Sequence, residues 1–139
     1  MLKIFLITIF IFISLLLLSA INSLPVNSQT QYNYVIDWPR HNLTIKEKIY
    51  LVADFVGCNA QTLDYVAWRE SSYQNIPNST GSGAFGVMQF MRPTFYFMAK
   101  EAGLTYVNDL DYNNPDIQIY VACWAFKNGY SGHWSVLTK

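Results

Sequence analysis

The chain has 139 residues, with nine basic and nine acidic side chains, two histidines and two cysteines. The charges balance and no Lys/Arg cluster occurs, so binding to nucleic-acid phosphates is excluded as a main function. His41 and His133 have no Cys or carboxylate at metal-ligand spacing, so we expect no metal site. No phosphate-loop or dinucleotide motif occurs, so we expect no cofactor.

The N-terminal residues have the layout of a targeting segment. Lys3 precedes an uncharged apolar run that extends from residue 4 to residue 21, as in a secretory signal. The run is long for a signal but short for a spanning helix, which needs about 20 residues. Residues 1–21 are therefore interpreted as a cleaved signal peptide or as an N-terminal anchor. Both interpretations predict an exported protein, periplasmic, in the cell envelope or extracellular, with membrane contact only through this segment.

Residues 22–39 form a leader, and the domain proper covers residues 40–139. Ser, Asn, Gln and Pro dominate the first part of the leader, which is typical of a flexible tether. The domain has about 100 residues, enough for one small core.

Helix signals divide the domain. Thr44 and Glu47 make a capping box for a first helix that Gly57 ends, and a second helix starts near Asn59. Further helices are predicted for residues 93–102 and residues 114–128, with a polar turn around residues 109–111 and one last turn in the tail. The sequence therefore predicts a mainly α (α+β) fold, a small helical domain with at most a short β-hairpin at residues 83–90.

Glu70 is the candidate catalytic residue. Leu63, Val66, Ala67 and Glu70 fall at spacings of three and four, so they share one helix face. A carboxylate on an apolar face has a raised pKa, which suits a general acid near neutral pH. The alternative is a structural Glu that pairs with Arg or caps a backbone group.

A turn-rich loop and a Gly-containing run follow Glu70. The run Glu70-Ser71-Ser72-Tyr73 precedes residues 83–91, Gly-Ala-Phe-Gly-Val-Met-Gln-Phe-Met. In order and separation these two motifs resemble the Glu-Ser and Gly-Ala-x-Gly-Leu-Met-Gln motifs of the lytic transglycosylase and lysozyme-like superfamily. Without that resemblance, residues 83–91 would predict only a plain hairpin.

The resemblance implies a monomeric enzyme that cuts the MurNAc–GlcNAc bond of peptidoglycan. Glu70 aligns with the family's general acid, which in lytic transglycosylases then acts as the base that closes a 1,6-anhydro sugar. Ser71 and Gln89 match motif residues near the cleft. Adjacency to the motifs makes Tyr73 and Phe90 the best aromatic candidates for contacts with sugar.

Two other functions remain open. A hydrolytic lysozyme usually needs a second carboxylate, for which the candidates are Asp109, Asp111 and Asp116. A non-catalytic cell-wall binding module would hold glycan without cutting it.

One position departs from the family pattern. Many members carry Ala-Tyr-Asn-Ala-Gly on a late helix, and the nearest match here has Phe126 in place of the Tyr. Either Tyr120 or Tyr130 supplies the missing hydroxyl, or the site works without it.

The two cysteines, Cys58 and Cys123, predict a disulfide, because a pair of cysteines in an exported chain of this size is usually bonded. The alternative is two buried free thiols.

Overall fold

The computed structural model of the chain describes residues 42–137. The predicted signal or anchor (residues 1–21) and the leader (residues 22–39) lie outside the described residues, as do the first two and last two residues of the predicted domain. Five α-helices occur in the described part: α1 (Ile45–Val56), α2 (Ala60–Ser71), α3 (Arg92–Glu101), α4 (Asp109–Tyr112) and α5 (Pro115–Lys127). Two 3₁₀ turns follow, η1 (Ser131–His133) and η2 (Ser135–Leu137).

The predicted mainly helical fold is confirmed. The described residues contain no β-strand, and the predicted hairpin reduces to two isolated antiparallel bridges, between Pro77 and Phe85 and between Phe85 and Phe90. The segment from α2 to α3 is therefore held by loop contacts and not by a sheet.

Helix α5 is the centre of the core. Every residue from Ile117 to Cys123 is buried, as expected for a helix that is surrounded by other elements. Helix α1 packs most extensively against α5 and α2, and α3 and α4 also pack against α5. The elements that carry the motifs are thus arranged around a single buried helix.

The predicted helix caps are present. Glu47 N–H donates to Thr44 Oγ1 at 3.3 Å, and Thr44 N–H donates to the Glu47 carboxylate at 2.8 Å, which completes the capping box. Gly57 ends α1 with a left-handed φ of 80°, and Asn59 Oδ1 accepts from Thr62 N–H at the start of α2. These local interactions satisfy backbone groups that a helix end leaves unpaired.

Two local predictions are wrong in detail. The polar turn predicted around residues 109–111 is the one-turn helix α4, which Asn108 and Asp111 close with a capping box. The tail forms two 3₁₀ turns instead of one, with Trp134 buried between them. Both short elements are defined by side-chain caps and burial that helical periodicity does not reveal over so few residues.

The predicted disulfide joins Cys58 to Cys123, with a Cα–Cα distance of 5.5 Å. It connects the loop between α1 and α2 to the buried helix α5. Lys127 Nζ reinforces the same junction by donating to Val56 O at 2.7 Å. The disulfide therefore fixes the segment just before α2, the helix that carries Glu70, to the central helix α5.

Replacing both cysteines by alanine should lower the free energy of unfolding by about 4 kcal/mol, because the bond closes a long loop in the unfolded chain. Urea unfolding of the parent and of the Cys58→Ala/Cys123→Ala protein measures the difference. Alkylation of the unreduced, denatured parent should label neither cysteine, and labelling of both would contradict the bond.

Candidate active site

Glu70 is the penultimate residue of α2, where the buried stripe of the helix reaches the surface. Leu63, Val66 and Ala67 on the same face are fully buried, and Glu70 is partly buried. The apolar spacing therefore places the carboxylate at the junction between core and solvent.

Burial raises the pKa of the Glu70 carboxyl above its ordinary value of 4.5, while the neighbouring Arg69 guanidinium opposes that shift. No described group donates a hydrogen bond to this carboxylate that would offset the burial. The C-terminal end of a helix dipole also disfavours negative charge there. Glu70 is thus biased towards its protonated form, as the sequence predicted.

The cleft at Glu70 has a volume of about 240 Å³. Ser71, Ser72, Gln74, Ile76, Pro77, Asn78, Ser79 and Gln89 line it together with Glu70. Glu70 is the one carboxylate among these lining residues of the described chain. The walls are otherwise neutral and mostly polar, which suits an uncharged, hydroxyl-rich ligand.

A larger concavity of about 520 Å³ lies elsewhere, beside the disulfide and between Tyr50, Asp54 and Gln61. Its acid, Asp54, is exposed. The larger concavity therefore lacks a partly buried acid. The smaller cleft contains one, Glu70, and is the better candidate for the active site.

Residues 83–90, here called the motif loop, contribute Gln89 to the lining of the cleft. The loop is bonded to Gln118 of α5. The Gln118 side chain is 0 % exposed. Its Oε1 accepts from Met88 N–H at 3.2 Å, and its Nε2 donates to Phe85 O at 3.2 Å and to Tyr112 O at 2.7 Å. A buried amide needs such partners, and here they come mainly from the motif loop.

Other side chains bind three more carbonyls of the motif loop. Ser71 Oγ donates to Val87 O at 2.9 Å and also lies 3.0 Å from Ala67 O of its own helix. Trp134 Nε1 donates to Met88 O at 2.8 Å, and Tyr112 OH donates to Phe90 O at 2.8 Å. Ser71 directly follows Glu70, so its hydrogen bond ties the motif loop to the end of α2.

Gln89 lines the cleft as the sequence predicted, but its amide is already bonded to neighbouring protein groups. Its Nε2 donates to Gly86 O at 2.8 Å and to Ile76 O at 3.0 Å, and its Oε1 accepts from Asn78 Nδ2 at 2.8 Å. The backbone of Gln89 is left-handed, with φ at 49°. The side chain therefore fixes the shape of the wall.

Neither predicted aromatic residue reaches this cleft, which corrects the expectation for both. Phe90 is 2 % exposed, and its ring packs edge-on against Phe95 and Trp134 in the core. Tyr73 turns away, and its hydroxyl donates to Asp64 on α2 at 2.9 Å. Adjacency to a motif along the chain did not determine the direction of the side chain.

A comparison with protein families identifies the same part of the chain. A model of the transglycosylase SLT domain matches residues 54–136, which is more than half of the chain and includes α2, the motif loop and α5. The chain belongs to this family. No curated protein and no solved structure matches the chain significantly. The SLT domain is typical of the peptidoglycan lytic transglycosylase family and has the lysozyme-like fold.

The candidate second carboxylates of the SLT domain are engaged elsewhere. Asp109 binds Arg92 and Tyr96. Asp111 accepts from Asn108 N–H in the α4 cap, and Asp116 pairs with Lys48 on α1 at 3.1 Å. None of these three acids lines the cleft of Glu70. Across residues 42–137, no three His, Cys, Asp or Glu side chains cluster closely enough to hold a metal ion.

The hydroxyl that is missing at Phe126 is not replaced by either predicted tyrosine. Phe126 packs edge-on against Trp134, with ring centres 4.7 Å apart. Tyr120 is buried, and its hydroxyl lies 3.5 Å from Ala102 O, while Tyr130 stacks on Trp124. Neither tyrosine lines the cleft, so the described site lacks the family's late tyrosine hydroxyl.

Gln118 and Trp134 are the important residues that sequence reasoning missed. A signal for Gln118 exists, because it is one polar residue within an apolar helix and must find buried partners. Trp134 carries no comparable signal, since nothing local indicates that its indole N–H reaches Met88.

Gly86→Ala should destabilise the SLT domain far more than Gly81→Ala. Both glycines have left-handed backbones, with φ at +87° and +72°, so each alanine costs about 1 kcal/mol in backbone strain. A Cβ at Gly86 would also lie 2.1 Å from Gln118 Nε2, whereas a Cβ at Gly81 would meet nothing within 4 Å. Overpacking and lost hydrogen bonds should add about 2–4 kcal/mol at Gly86 alone. Equal losses in urea unfolding would show that Gln118 does not constrain the loop.

Proposed function

We propose that this SLT domain cleaves the MurNAc–GlcNAc β-1,4 bond of peptidoglycan by the lytic transglycosylase route. The observation that carries the proposal is Glu70, the one carboxylate among the described residues that line the cleft, with its pKa raised by burial. Family membership supplies the substrate class, and the cleft supplies one acid in a neutral, polar wall.

Glu70 acts first as a general acid. The protonated carboxyl donates its proton to the oxygen that bridges the two sugars, and the bond from that oxygen to C1 of MurNAc breaks. A positive charge then develops at C1 and the ring oxygen. A raised pKa keeps a larger share of Glu70 protonated near neutral pH, which is the state that this step needs.

Glu70 then acts as a base in the same cleft. Its carboxylate removes the proton from the C6 hydroxyl of the MurNAc ring, and O6 forms a bond to C1. This closes a 1,6-anhydro ring, returns the proton to Glu70 and consumes no water. The nucleophile is already part of the substrate, so proximity replaces a positioned water and its activating base.

The two competing functions have less support. Hydrolysis usually needs a second carboxylate about 5–5.5 Å or about 6.5–9.5 Å from the first, and the three candidate acids pair with other groups. A binding module without activity is favoured only by Phe126, which lacks the family hydroxyl.

We propose different roles for Ser71 and Gln89, the two motif residues that line the cleft next to Glu70. Ser71 is a positioning residue, since its hydroxyl donates to Val87 O and thereby joins α2 to the motif loop. Gln89 presents a shaped wall to the glycan, because its amide is held by Gly86 O, Ile76 O and Asn78 Nδ2.

We also propose that the protein is exported, because its proposed substrate lies outside the cytoplasm. The proposal rests on residues 1–21 as a cleaved signal or an anchor and on residues 22–39 as a leader. Within residues 42–137, no helix is long and apolar enough to cross a membrane.

Glu70→Gln should lower the rate of peptidoglycan cleavage by about 10²–10⁴-fold, because the amide keeps the shape of the side chain but cannot deliver a proton. Binding of glycan strands should survive. The matched control is Asp109→Asn, an exposed acid that pairs with Arg92 outside the cleft, and it should retain parent activity. A folded and fully active Glu70→Gln protein would remove Glu70 from the chemistry.

The pH profile of kcat/KM should fall on its alkaline side as Glu70 loses its proton. Because burial raises the pKa of Glu70 above 4.5, the midpoint of this fall should lie above 4.5 and extend activity towards neutral pH. The residual activity of Glu70→Gln should lack this limb. A midpoint at or below 4.5 would show that the cleft does not desolvate the acid during turnover.

A further inference from the structure

The chain leaves α2 one residue after Glu70, through two residues in the left-handed region. Ser72 has φ at 51° and Tyr73 has φ at 64°. Such backbone in residues other than glycine persists only where the surroundings hold it, and it clusters at functional sites. The exit from α2 therefore needs contacts that fix it.

Backbone contacts supply part of this support. Ser72 N–H donates to Trp68 O at 2.9 Å, and Tyr73 N–H donates to Ala67 O at 3.3 Å. These bonds close the last turn of α2, but the second one is long. Both bonds join main-chain groups, so they do not fix the side chain of Tyr73.

The partner of the Tyr73 side chain lies on α2, the helix that the chain has just left. Its hydroxyl donates to Asp64 Oδ1 at 2.9 Å, and Lys46 Nζ of α1 lies 3.4 Å from Asp64 Oδ2. One carboxylate oxygen of Asp64 is thus paired with Lys46 of α1, and the other accepts from Tyr73. The bond spans nine residues of chain that include Glu70.

We propose that Tyr73 and Asp64 are a positioning pair that sets the direction of Glu70. This inference rests on the proposed function and assigns Tyr73 a role other than contact with sugar. Because no described group donates a hydrogen bond to Glu70, its position depends on the backbone of the last turn of α2. The Tyr73–Asp64 bond holds the exit of that turn against the helix.

A positioning role differs from a purely structural one in its kinetic signature. A misplaced acid still allows glycan to bind but protonates the bridging oxygen less often, so kcat falls while KM stays nearly constant. A merely structural bond would lower the stability of the fold and leave the kcat of the folded protein unchanged.

The test is a double-mutant cycle on purified peptidoglycan. Tyr73→Phe and Asp64→Ala should each reduce kcat about tenfold, with KM within about twofold of the parent. The double variant should be no slower than either single variant, because both remove the same bond. Asp64→Asn should keep near-parent kcat, since its amide oxygen still accepts from Tyr73. Tyr65→Phe removes an exposed hydroxyl from the same helix and serves as the control.

The outcomes separate this inference from the function on which it rests. Parent-like kcat in Tyr73→Phe, or losses that multiply in the double variant, would overturn the positioning pair while the enzyme remains active. A parent protein that does not cleave peptidoglycan would overturn the proposed function and the pair together.

Discussion

The buried amide of Gln118 is the constraint on which the site depends. A polar group without solvent costs free energy unless it is fully hydrogen-bonded, and Gln118 finds its partners in the backbone of the motif loop and in Tyr112 O. The loop in turn needs this anchor, because no described strand supports it. Gly86 is required where the two meet, since any Cβ there would overlap the amide. The central helix thereby dictates the shape of a surface loop.

The surroundings of Glu70 favour its role as an acid. Partial burial at the end of α2 raises the pKa of the carboxyl. The other described residues that line the cleft are neutral, so they supply no second acid. A single carboxyl with a raised pKa suits protonation followed by intramolecular ring closure, in which the same group acts first as acid and then as base. The same isolation makes activity sensitive to how the end of α2 is oriented.

Much of the fold was predictable from local signals. The caps at Thr44 and Asn59 mark helix ends because they pair backbone groups nearby, and the apolar stripe placed Glu70 at the edge of the core. The side-chain directions of Tyr73 and Phe90 were not predictable, because Phe90 is drawn inwards by its ring contacts and Tyr73 by Asp64. The role of Gln118 depends on partners about 30 residues away in sequence, which no local pattern encodes.

The central claim is that one carboxylate cleaves the glycan and closes the new end without water. Mass spectrometry of peptidoglycan fragments released by the purified parent protein tests it most directly. The account predicts MurNAc ends that are lighter by one water, as 1,6-anhydro rings, and their loss by about 10²–10⁴-fold from a Glu70→Gln digest. Reducing MurNAc ends from the parent would contradict it, because a water molecule and a second activating group would then have to take part.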